Sequence, residues 1–119
     1  MKEIEERPWG KYEVLLDAAD CKVKRITVNP QQRLSYQYHH RRAETWVIIS
    51  GTGIMTLDDE EASVDPGDVV LIEPGQKHRI TSTTPPGTEP EPLVFIEVQR
   101  GTYFGEDDIV RLHDDYSRV

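Results

Sequence analysis

Apolar and polar positions alternate with a period of two along most of the chain, the pattern of strands buried on one face. After the break Pro8-Trp9-Gly10, Tyr12 to Leu16 reads as a first strand. Cys21 to Val28 is a second, rich in β-branched residues, with Val23 and Arg25 on one face and Ile26 on the other. Asn29-Pro30 ends it. In Leu34 to His39, Leu34, Tyr36 and Tyr38 face one way and Ser35, Gln37 and His39 the other. Thr45 to Ser50, Ile54 to Leu57, Ala62 to Val64, Val69 to Ile72 (read as a buried strand), His78 to Thr81 and Leu93 to Gln99 follow. Turn signals such as Asp65-Pro66-Gly67-Asp68 and Pro74-Gly75 separate them. In the last of these strands Phe95, Glu97 and Gln99 share one face, and Val94, Ile96 and Val98 the other. Ile109 to Leu112 is a strand or one helical turn. Glu3 to Glu6 reads as a mobile acidic start, residues 83–92 as a loop with four prolines and no packing residue, and Asp114 to Val119 as a polar tail.

Short strands, frequent turns and no long helix predict an all-β sandwich or barrel of about ten strands. The 119 residues are enough for a single domain, 1–119, with one core. Charged residues make up 30% of the chain and the net charge is −8, which argues against nucleic-acid binding. An anionic small molecule is still allowed, because a local cluster of cations overrides the average. The single Cys21 excludes an internal disulfide framework and fits a reducing cytoplasm. Met1 to Glu6 has no apolar segment of a secretory signal, and apolar runs such as Val69 to Ile72 are too short to span a membrane.

The candidate chemistry lies in Gln37-Tyr38-His39-His40-Arg41-Arg42-Ala43-Glu44. Imidazole nitrogen, amide oxygen and carboxylate oxygen suit a divalent metal of intermediate softness. Gln37 and His39 project from one face of a strand, and Glu44 returns from the next to face the same point. A fourth ligand comes from His78, after the turn Pro74-Gly75. The same run of His, Arg and Glu also reads as a solvated charged turn, and His40 and His113 as surface groups.

The spacings resemble the two motifs of the cupin superfamily, small jelly-roll or double-stranded β-helix barrels. Gln31, Gln37, His39, Glu44 and Gly51 keep the intervals of the first motif, and Gly67, Glu73, Gly75, His78 and Ser82 those of the second. Gln31, Gln37, Glu73 and Ser82 depart from the usual Gly, His, Pro and Asn. Over nearly the whole chain, Arg7-Pro8-Trp9-Gly10, Lys22 to Pro30, Leu34 to Gln37, Ile96 to Gln99 and Gly105 to Arg111 are similar to the type II phosphomannose isomerases. In that family a cupin isomerase domain often follows a mannose-1-phosphate guanylyltransferase domain, but these residues contain no Gly-rich nucleotide-binding segment. Arg41 and Thr45 stand where the family usually has histidines.

The resemblance implies a metal held by Gln37, His39, Glu44 and His78, with zinc first and manganese, iron, cobalt or nickel as alternatives. It implies interconversion of mannose 6-phosphate and fructose 6-phosphate through an enediolate, which a Lewis acid stabilises. On that reading Glu97, inside the barrel, is the general base, with a salt bridge to Arg25 or Arg111 as its structural alternative. Arg41, Lys77 and Arg111 are the candidates to hold the phosphate of the sugar-phosphate substrate. A homodimer is the family expectation. The rival functions are a non-catalytic metal-binding cupin that binds a sugar or other small molecule, and a cupin dioxygenase.

Overall fold

The computed structural model describes residues 3–85, 87 and 92–116. Its strands are β1 (Glu3–Arg7), β2 (Gly10–Asp17), β3 (Cys21–Val28), β4 (Tyr36–His39), β5 (Arg42–Ser50), β6 (Gly53–Leu57), β7 (Glu60–Val64), β8 (Val69–Ile72), β9 (His78–Ser82), β10 (Leu93–Gly101) and β11 (Ile109–His113). One 3-10 turn, Glu106–Asp108, precedes β11. The strands form a six-stranded sheet, β1-β2-β3-β10-β5-β8, and a five-stranded sheet, β11-β4-β9-β6-β7. Neighbouring strands run antiparallel throughout.

The inner faces of the two sheets enclose the core. Ile26, Val28, Trp46, Ile48 and Phe95 come from the first sheet, and Met55, Val64 and Ile80 from the second. The Trp46 and Phe95 rings stack with centroids 4.3 Å apart, and both side chains are fully buried. The character of the inner face changes along the strands. In the β5–β10 register Phe95 pairs with Ile48, Glu97 with Trp46 and Gln99 with Glu44. One end of the barrel is therefore packed with apolar side chains and the other with buried Lys24, Arg42, Glu44, Glu97 and Gln99.

Several local expectations change. Glu3 to Glu6 is not a mobile start: β1 pairs residue for residue with β2, and Arg7 donates to the Tyr12 hydroxyl. A strand at a sheet edge needs only one ladder of backbone bonds, so an acidic sequence is tolerated there. Val69–Ile72 is not buried on both faces. It is the other edge strand, with Val69 and Leu71 more than half exposed and Ile72 inside. Ile109–His113 is a strand, paired with β4. The proline-rich loop holds a packing residue after all: Thr84 is buried, and its hydroxyl accepts from the Thr52 amide at 3.2 Å. Residues 86 and 88–91 of that loop lie outside the described residues, as do residues 117–119 of the expected polar tail. Within the described part of the tail, Asp114 is buried and Tyr116 packs against the core.

Candidate metal centre

Three strands bring the site together. His39 ends β4, Glu44 follows the turn into β5, and His78 opens β9. Gln37 and His78 are direct partners in the β4–β9 ladder. Among the described residues, His39, Glu44 and His78 each offer a ligand atom within 4.8 Å of the other two, and all three are buried. His39 Nε2 lies 3.2 Å from Glu44 Oε2, and His78 Nε2 lies 4.0 Å from Glu44 Oε1. Gln37 is beside them, its side-chain nitrogen 3.5 Å from His39 Nε2, while its oxygen accepts from the Ser35 hydroxyl.

Burial, then the Arg42 charge, lowers the pKa of His39 to about 3. Burial lowers that of His78 as well, against the Gln76 carbonyl. Both rings are therefore neutral at physiological pH, the form that binds metal. His78 Nδ1 lies 2.9 Å from the Gln76 carbonyl, to which it donates. That bond fixes the tautomer and leaves Nε2 with a lone pair; Nε2 is buried and has no hydrogen-bond partner among the described residues. The carboxylate is oriented too: Glu44 Oε2 accepts from Arg42 Nε at 2.8 Å, and Oε1 from the Trp46 indole at 2.9 Å. Two neutral imidazoles, an oriented carboxylate and an orphaned imidazole nitrogen make a donor set that fits a divalent cation.

Glu97 faces inward in the same region. Its Oε2 accepts from the Gln99 amide at 2.8 Å. Burial first, then the neighbouring Glu44 charge and a hydrogen bond with it, raises its pKa to about 7, against the opposing pull of Lys24 and Arg42. The negative charge of Glu44 beside it thus favours the protonated form of Glu97. The alternative salt bridge to Arg25 does not form, because Arg25 points outward to Glu13 at 3.7 Å.

The expected phosphate-binding residues are scattered. Arg41 is exposed and lies over the Tyr103 ring. Lys77 pairs with Asp59 at 3.0 Å on the outside. Of the three, Arg111 alone reaches the barrel interior, where it lines a cavity with Gln37, Arg42 and Glu97. Arg42 is the residue that sequence reasoning passed over. It is buried, and its guanidinium touches both Glu44 and His39, at 2.8 and 3.2 Å. The signal was available: Arg42 precedes Glu44 by two on one strand, so both share a face. His40 and His113 are exposed, as a surface role requires.

An antiparallel two-sheet barrel with ligand-type side chains clustered at one end defines a double-stranded β-helix cupin. The profile of the family described as mannose-6-phosphate isomerase C-terminal matches residues 2–114, and the chain belongs to that family. It is 46% identical over 113 residues to the xanthan biosynthesis protein XanB of Xanthomonas campestris, a match covering 95% of this chain and 23% of that protein. It is 45% identical over 114 residues to the mannose-1-phosphate guanylyltransferase of Escherichia coli K12, again covering 95% of this chain and 23% of the relative. The chain thus spans less than a quarter of the length of these curated relatives. A double-stranded β-helix protein from Klebsiella pneumoniae superimposes with a TM-score of 0.70 at 24% identity, covering 82% of this chain and 79% of that one, a likeness of fold.

These relatives overturn the expected activity. The proteins that share this sequence over its length carry the names of a guanylyltransferase and of polysaccharide biosynthesis proteins, and they do not support a catalytic isomerase role for this cupin. The expected interconversion of mannose 6-phosphate and fructose 6-phosphate thus lacks support, and with it the proton transfer expected of Glu97. Its burial is accounted for locally by the bonds to Gln99 and Glu44. Among the described residues no helix is long and apolar enough to cross a membrane.

Proposed function

We propose that this chain is a metal-holding cupin module that binds a sugar phosphate of the mannose phosphate class. The observation that carries the reading is the convergence of buried His39, Glu44 and His78, with both imidazoles neutral. Residues 1–119 act as one cupin domain on this reading. Zinc is the preferred metal, since nitrogen and carboxylate donors in a small cluster suit it. When bound it supplies Lewis-acid polarisation of a ligand oxygen. Gln37 stands beside the cluster as the fourth protein donor. The sugar phosphate is supported by the name of the E. coli relative, which acts on mannose 1-phosphate. Pairing of two copies through the outer face of the six-stranded sheet, where Ile49, Val69 and Leu71 are exposed, belongs to the same reading.

Elemental analysis of purified protein tests the metal. One divalent ion per chain is expected, and His78→Ala should lose it while the strand-type circular dichroism persists. Metal retained in full by His78→Ala would remove the site. Calorimetry with mannose 1-phosphate, mannose 6-phosphate and mannose tests the ligand; equal, negligible heats for all three would remove the sugar phosphate.

A further inference from the structure

A cavity of about 50 Å³ opens beside the metal-ligand cluster, between the two sheets. At about 10–15 Å³ for each water, it has room for a group of a few heavy atoms, the size of a phosphoryl or carboxylate group. Its polar lining is unusual for so acidic a chain. Arg7 of β1, Lys24 of β3, Arg42 of β5 and Arg111 of β11 all line it together with the carboxylate of Glu97, while Arg42 also pairs with Glu44 at 2.8 Å and Arg7 with Glu5 at 3.3 Å just outside the lining. The net charge of the chain is −8, so this is a local inversion of sign within a low-dielectric wall.

Two of these cations have donors to spare. Arg42 is almost wholly buried and uses Nε and Nη2 on Glu44 and His39, but its Nη1 has no partner among the described residues. Arg111 Nε is likewise buried and unpartnered. A buried charged donor without an acceptor is costly, and guanidinium forks match oxyanions. The other two cations lie against one aromatic ring, and Arg7 Nη1 also donates to the Glu6 carbonyl at 2.9 Å and pairs with Glu5 at 3.3 Å. Lys24 Nζ lies 4.0 Å from the centroid of Tyr12, and Arg7 sits over the same ring at 5.0 Å and donates to its hydroxyl. Trp9 contributes an apolar wall.

We infer that this cavity is an oxyanion subsite, formed by Arg7, Lys24, Arg42 and Arg111, that takes the phosphoryl group of the ligand. It rests on the sugar-phosphate reading above and moves the phosphate contact from Arg41 and Lys77, which lie outside, to the barrel interior. A phosphoryl group is favoured over a carboxylate because the positive charges come from four separate strands and surround a dianion better than a planar monoanion. Arg42 joins the two halves of the site. One edge of its guanidinium bonds Glu44 and His39 Nε2, a contact that a metal taken at that nitrogen would replace, while its Nη1 remains for the anion.

The test uses inorganic phosphate and mannose 6-phosphate, titrated calorimetrically into chelator-treated protein. Arg111→Gln and Arg7→Gln are the variants, with Arg41→Gln and Lys77→Gln as surface controls and circular dichroism as the check on folding. Phosphate should bind the parent, weaken with added salt, and bind roughly tenfold or more weakly to folded Arg111→Gln and Arg7→Gln, the loss of one charge-assisted contact each. The controls should bind as the parent does. No phosphate binding to the parent, or unchanged affinity in both cavity variants, overturns the subsite. If phosphate binding depends on Arg111 but the sugar phosphate binds no tighter than phosphate alone, the subsite stands and the sugar-phosphate reading falls. If the sugar phosphate binds with no dependence on Arg111 or Arg7, the reverse holds.

Discussion

Replacing Glu97 by glutamine should stabilise the metal-free protein, and increasingly so as pH rises. The folded protein holds this carboxyl at a pKa of about 7, against an ordinary value of 4.5, chiefly because it is buried and then because Glu44 lies beside it. A raised carboxyl pKa means that the folded state binds the proton more tightly than the unfolded chain. Stability is therefore fullest below about pH 4.5, falls as pH rises through the window up to about 7, and levels off above it. The shift from 4.5 to about 7, at about 1.4 kcal/mol per unit, amounts to a penalty of about 3 kcal/mol near pH 8. Of that, about 2 kcal/mol develops between roughly pH 5.5 and 8. Glutamine mimics the protonated acid: it keeps an acceptor for the Gln99 amide and carries no charge. Urea unfolding of parent and variant, with chelator, at several pH values in this window measures the gap. The variant should be about 3 kcal/mol more stable near pH 8 and closer to the parent near pH 5.5, by the same linkage. Restoring a divalent ion should narrow the gap, because a cation next to Glu44 lowers the cost of ionising Glu97. A variant no more stable than the parent at alkaline pH, or a gap that ignores pH, would refute the reasoning.

Two structural predictions test the core and a turn. Phe95→Ala removes a fully buried ring stacked on Trp46 and should cost about 3–5 kcal/mol in urea unfolding, because the rigid sheets on either side cannot collapse into the space. Gly51→Ala should destabilise by roughly 1–3 kcal/mol, read as a lower melting temperature. Its φ is +79°, and a Cβ there would lie 2.5 Å from the Pro92 carbonyl oxygen.

Much of the fold was written in the alternation. Cys21–Val28 and Leu93–Gly101 show inner and outer faces directly, because a pleated strand buries every second side chain. The convergence of His39, Glu44 and His78 was legible for a related reason. The intervals from His39 to Glu44 and from Gly75 to His78 are set by turn lengths, and turn length fixes which strand residue returns to the same point. Burial of edge strands was not legible. Val69–Ile72 is a run of four apolar residues, and only the strand order shows that none of the described residues covers its outer face. Charge was hardest. Of the adjacent Arg41 and Arg42, one lies on the surface and the other inside, and strand β5 decides it by beginning at Arg42. Arg7, Lys24, Arg42 and Arg111 are separated by long stretches of chain, and of the four only Arg111 stands out in the sequence as a candidate for the phosphate. Only the closing of two sheets on each other places them around one cavity, because a long-range pairing has no local signature in sequence, while a face within one strand does.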